Sequence, residues 1–131
     1  MEEKIRDIYN VEKLNGNDPL VIWHNQVIDK VPEELTVADI ARCIRQNLFV
    51  ETAYEVLLAV LLHNPFAGDM YEGELMEKAS KVDKSLIVKY SDTITQIINY
   101  ARSSSMEKEW LDEEEKSEFL EYISELNELL Q

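Results

Sequence analysis

Three glycines, three prolines, two histidines and one cysteine are spread over 131 residues. Each shortage excludes something. A lone Cys43 cannot close an internal disulfide framework, and its apolar helical register marks it as a core residue. With so few glycines and prolines the backbone has few enforced breaks, and the many Leu, Ile, Glu and Lys residues favour helix. No segment alternates apolar and polar residues for long enough to make a half-buried strand. No apolar run reaches the ~20 residues that cross a bilayer. The first ten residues, MEEKIRDIYN, lack the apolar centre of a signal peptide, which leads us to expect a cytoplasmic protein. Basic residues are scarce too, 13 against 27 acids, for a net charge of −14. That excludes the basic footprint of a nucleic-acid binder and argues against an anionic membrane surface. It suits fast capture of a basic partner, although ordinary solubility accounts for an acidic chain as well.

Catalytic constellations are missing as well. His24 and His63 are the only histidines, and a general acid or base needs a partner and a cleft. There is no HExxH, no Cys–His pairing, no nucleophile elbow and no phosphate-binding glycine loop. Asp69, Glu72 and Glu74 place three acids within six residues, but their spacing matches no calcium loop. We therefore expect no enzyme, no cofactor and no metal.

What the chain does have is helical periodicity. A short helix is expected over Glu2–Asn10, followed by a break at Asn15–Pro19. Leu20–His24 reads as an irregular packed segment or a short strand. Thr36 and Asp39 form a capping-box start, with Val37, Ile40, Ala41, Ile44 and Leu48 on one face beyond it. Ala53–Leu62 carries one charged residue, Glu55, and is apolar all round a helical wheel, so it is expected to be a pillar buried on every side. It ends near His63, where Pro65 blocks continuation. Asp69 and Glu72 then read as a cap for the next helix. A long helix is expected from Leu86 to about Arg102, then a polar loop at Ser103–Ser105 and a last helix from Asp112 to Leu130. The expected fold is all-α: one compact bundle over residues 1–131, with five or six helices around a buried central one.

The last helix is the strongest electrostatic feature. Between Glu107 and Gln131 there are ten acids and two lysines, for a net −8. Glu114, Glu118, Glu121, Glu125 and Glu128 recur at three and four residues, opposite a Phe119–Ile123–Leu126–Leu130 stripe. Like charges at that spacing destabilise a helix by a few tenths of a kcal/mol per pair, roughly. Alternating Glu and Lys would have stabilised it instead, which points to a functional surface; the plain alternative is a solvated face. Trp110 lies just before this helix and is expected to pack as a staple on its first turn.

The middle of the chain carries a resemblance. Leu-Thr-Val-Ala-Asp-Ile-Ala-Arg at 35–42 is followed by Ile44-Arg45-Gln46 and the apolar helix, then by Asn64-Pro65-Phe66 and Gly68-Asp69-Met70-Tyr71-Glu72-Gly73-Glu74-Leu75. This order resembles the all-helical immunity proteins of bacterial contact-dependent growth inhibition (CDI) systems. Their pattern is an L-x-x-x-D-I/L-x-x-x-I-x-Q helix, an apolar helix, N/D-P and then G-D-x-Y-x-G-D/E-L-L. The last motif is the most specific, and here Met76 stands where a second Leu is common. The resemblance implies a protein that binds and neutralises the toxic C-terminal domain of a cognate effector, often a nuclease and therefore basic, as a monomer in complex with that toxin. Glu114, Glu118, Glu121 and Glu125 are the expected electrostatic contacts, with Asp69, Tyr71, Glu72 and Glu74 as a second set. The rival reading is a helical scaffold or regulatory subunit that docks to another protein or self-associates through the Phe119 face.

Overall fold

The computed structural model describes residues 3–131, so the expected helix start at Glu2 lies outside the described residues. Among the described residues there are eight α-helices, one 3-10 turn and no strand. They are α1 (Ile5–Tyr9), α2 (Pro19–Val27), α3 (Val37–Gln46), α4 (Val50–His63), α5 (Glu74–Lys78), α6 (Lys84–Lys89), α7 (Ser91–Glu107) and α8 (Glu113–Leu129), with the 3-10 turn at Pro32–Glu34. The expected all-α bundle is present, with more and shorter helices than the periodicity predicted.

Leu20–His24 is neither irregular nor a strand. The Asp18 carboxylate accepts the Leu20 N–H at 2.8 Å and Pro19 opens α2, so a strong helix start outweighs the β-favouring Val, Ile and Trp. α2 buries Trp23, His24 and Val27. At α3 the capping box forms: Thr36 Oγ1 accepts the Asp39 N–H at 3.0 Å, and Asp39 Oδ2 accepts the Thr36 N–H at 3.1 Å. Asp39 also accepts from Trp23 Nε1 at 3.1 Å and Lys30 Nζ at 2.6 Å. Burial pushes its carboxyl pKa up, but Lys30, the Thr36 N–H and Trp23 outweigh burial and hold it below its ordinary value. One acid thus fixes α2, the 3-10 connection and α3 together.

α4 packs against α3, α5 and α7. Ala53, Tyr54, Leu57, Leu58 and Leu61 are buried, and Tyr54 donates from its hydroxyl to the Ala79 carbonyl at 2.8 Å. The pillar is not buried on every side, however. Glu55 and Ala59 face solvent, and Leu62 is 41% exposed. An apolar composition does not by itself require full burial, because folded surfaces stay largely apolar. α3 turns into α4 through Asn47 and Phe49, both at positive φ (56° and 51°), and Phe49 is seated between the rings of Tyr9 and His24. Cys43 is fully buried, and loss of solvation, followed by the Asp39 charge, pushes its thiol pKa up to about 12.

The expected helix Leu86–Arg102 is broken at Tyr90, whose φ of −107° and ψ of 23° separate α6 from α7. The Tyr90 hydroxyl donates to Glu55 at 2.5 Å, and Lys89 pairs with Glu51 at 2.5 Å, so the break is tied to α4. Ser103–Ser105 is not a loop, because α7 runs through it to Glu107. Ser105 is buried and donates its hydroxyl to the Arg102 carbonyl at 2.8 Å, satisfying the polar group that made this stretch look like a turn. α8 packs on α5 and α7.

Candidate partner-binding groove

Directly after α4 ends at His63, the chain enters a tight loop. The Asn64 side chain accepts the Phe66 N–H at 3.0 Å, Gly73 N–H donates to the Phe66 carbonyl at 2.9 Å, and Leu75 N–H donates to the Ala67 carbonyl at 3.1 Å. Gly68 is required here, since a Cβ would stand 1.9 Å from the Tyr71 carbonyl oxygen. Gly73 sits at φ +84°, where a Cβ would meet the Phe119 ring at 2.8 Å. The expected cap is overturned. α5 begins at Glu74, beyond Gly73, so Asp69 is too far upstream to cap it and Asp69 and Glu72 are both exposed. The acid that holds the loop is Glu74. It is 3% exposed, and its Oε1 accepts the N–H groups of Asp69 at 2.8 Å and Met70 at 3.1 Å. Tyr71 donates its hydroxyl to the Glu77 carboxylate.

An aromatic trio joins this loop to α8. Phe66 and Trp110 meet edge to face at 5.6 Å, Phe66 and Phe119 lie 4.9 Å apart, and Trp110 and Phe119 lie 5.5 Å apart. Trp110 Nε1 donates to the Ser105 carbonyl at 2.9 Å. Trp110 therefore packs against the second turn of α8, not the first, because its indole is held back by the end of α7. Lys108 completes the junction: Nζ lies 2.8 Å from Glu72 and 4.9 Å and 5.3 Å from the Phe66 and Trp110 ring centres.

Asp112 caps α8 by accepting the Glu115 N–H at 2.8 Å. Phe119, Ile123 and Leu126 turn inward, whereas Glu114, Glu118, Glu121, Glu125 and Glu128 all face solvent. Between the loop and the first turns of α8 lies an open groove of about 470 Å³, lined by Tyr71 and Glu72 on one side and Asp112, Glu114, Glu115, Glu118, Phe119 and Tyr122 on the other. The two predicted residue sets therefore meet in part. Tyr71, Glu72, Glu114 and Glu118 share the groove. Asp69 lies on the loop but not in the lining, and Glu74 is buried. Glu121 and Glu125 also lie outside the lining, Glu125 being 4.0 Å from Lys81. Glu74 is thus unavailable as a direct contact.

Asp112, Glu115 and Tyr122 were not singled out from the sequence. Asp112 and Glu115 were visible as part of the acidic run, but Tyr122 had no local signal, since only the packing of α5 on α8 brings it to the groove. Both tyrosine hydroxyl pKa values are raised, for Tyr71 by burial and then by Glu77, and for Tyr122 by burial and then by the charges of Glu77, Glu118, Glu121 and Glu125. The phenols stay neutral in a negative field. His24 and His63 are not among the groove's lining residues, and among the described residues no cluster of three or more His, Cys, Asp or Glu is placed to hold a metal. No described helix is long and apolar enough to cross a membrane.

The described residues thus form an all-helical protein with an acidic, solvent-open groove between the Gly68–Gly73 loop and the start of α8. The chain belongs to the CDI immunity proteins: the family model of that description matches residues 6–97. No curated protein matches it. The matched residues take in the loop and Glu74 but stop inside α7, so α8 lies beyond them.

Proposed function

We propose that this chain, acting over residues 1–131 as one helical domain, neutralises the toxic C-terminal domain of a cognate contact-dependent growth inhibition effector by binding it in the cytoplasm of the producing cell and its siblings. The toxin is a nuclease with a basic substrate-gripping surface, and the immunity protein acts as a monomer in complex with it. Membership of the CDI immunity proteins carries this reading. The net charge of −14 supports a basic partner, and so does the concentration of solvent-facing acids on α8. Inhibition needs no chemistry from this chain. The affinity comes from a few buried anchors, while the charge raises the association rate.

The test is protection. The C-terminal domain encoded immediately upstream is induced in cells with and without this protein. Growth arrest relieved by this protein is expected, and a domain that is harmless or stays toxic in its presence would count against immunity. The scaffold alternative has lost its named surface: Phe119, Ile123 and Leu126 are at most 2% exposed and packed within the fold, so they cannot also serve a dimer.

A further inference from the structure

The groove has two walls of different origin. The Tyr71–Glu72 wall belongs to the family-matched loop, and its shape is fixed from below by Glu74 and from the side by Lys108. The opposite wall is the start of α8, beyond the match. The chain's own Lys108 shows that the chemistry at this end of the molecule accommodates a cation. Its ammonium is held between one carboxylate, Glu72, and two aromatic faces, the geometry that favours a partly desolvated cation. Across the groove Glu114 and Glu118 make no ion pair among the described residues, and the ring of Tyr122 lies in the same lining. Apolar side chains adjoin both walls: Met70, next to Tyr71, is 77% exposed, and Leu111, next to Asp112, is 86% exposed. A free cation has no use for such groups, whereas a protein segment does.

Resting on the immunity reading, we propose that the groove receives a lysine or arginine side chain of the toxin against Glu114, Glu118 and Tyr122, and that this α8 wall selects which toxin is bound. The matched loop supplies a preformed opposite wall. Selection by charge follows because a partner presenting an acid at this point would meet like charge in a confined space, and such mismatches strongly penalise wrong partners.

The experiment uses the full chain and the upstream-encoded toxin domain, with affinity measured at physiological salt. E114K/E118K is compared with E12K/E33K, which makes the same charge change at exposed acids away from the groove. The groove pair is expected to weaken binding by about 30-fold or more, and the control pair by less than about threefold. A library of single Lys→Glu and Arg→Glu toxin variants, catalytically disabled for the binding measurements, is then screened against E114K/E118K. Recovered affinity at one or two neighbouring toxin positions is expected, and it is a result that a merely misfolded variant could not give. Equal effects of the two pairs, or a groove-pair loss that no toxin substitution restores, would overturn the groove while leaving immunity intact. Absence of any binding by the unaltered protein would overturn the immunity reading and the groove together.

Discussion

Glu74 and Glu118 are the same amino acid, on helices that pack against each other, and they do opposite things. Glu74 is withdrawn from solvent and its carboxylate is consumed by two backbone N–H groups of its own loop. Glu118 faces solvent on α8 beside other acids, with no ion-pair partner among the described residues. The resemblance-bearing loop therefore spends its most buried acid on shape, and the acidic helix leaves Glu118 without an ion pair among the described residues. A motif acid and a surface acid cannot be ranked as binding residues by residue type. Where the hydrogen bonds go decides the matter.

The largest effect comes from breaking what both regions rest on. Leu58 is 3% exposed on α4. Leu58→Asp places an unpaired charge in the core at a cost of several kcal/mol, roughly, so loop and helix should be lost in one cooperative unfolding, read as collapse of the far-UV circular dichroism signal. A soluble mutant with a normal melting transition would show that α4 is not their common support.

Next comes the buried member of the pair. Glu74→Ala removes the acceptor for two N–H groups, and charged hydrogen bonds are worth about 1.5–3 kcal/mol each, so a loss of roughly 2–4 kcal/mol is expected on urea unfolding. Glu74→Gln keeps an acceptor and should lose less. If Ala and Gln variants are both within error of the parent in stability, Glu74 has no structural office and returns as a candidate contact.

Asp39 extends the comparison to a second interior acid. Its carboxyl pKa is lowered in the folded state from an ordinary value of 3.8. A depressed folded pKa means the stabilisation is fully present above the unfolded value and is lost as pH falls through the folded one. Asp39→Asn should cost about 1–3 kcal/mol at neutral pH, and it should flatten the decline in stability below about pH 4. An unchanged acid limb in the mutant would mean that other carboxylates govern acid unfolding.

How far the sequence revealed this division depends on how local each signal is. The capping box at Thr36 and Asp39, the inward stripe of α8 and the end of α4 at His63 each depend on neighbours within about a turn of helix, and all are present. The loop misled because Asp69 and Glu72 match a capping spacing, whereas the closing contact is Gly73 against Phe119, 46 positions away in the chain. Tyr90 was read as an interior helix residue for the same reason: its hydroxyl partner, Glu55, is 35 positions away. The groove was half legible. Its acids were evident as a charge run, but Tyr71 and Tyr122 come to one lining only through the packing of α5 on α8.

The smallest expected change in stability belongs to the exposed acids, and it is the most informative about function. Reversing Glu118, Glu121 and Glu125 to Lys relieves some like-charge pairs along α8 and creates others, and it gives up only a 4.0 Å contact from Lys81 to Glu125. Exposed pairs of this kind contribute a few tenths of a kcal/mol, so stability should stay within about 0.5 kcal/mol of the parent. Capture of a basic partner should nevertheless slow by roughly tenfold at low salt, mostly in the association rate, with the difference shrinking as salt screens it. Stopped-flow mixing across a salt series separates the outcomes. Slower association with unchanged stability would place the charge of α8 in recognition. Unchanged kinetics at low salt would reduce the stripe to a solvated helix face, and the contrast with Glu74 would then be one between a structural acid and acids that only keep the protein in solution.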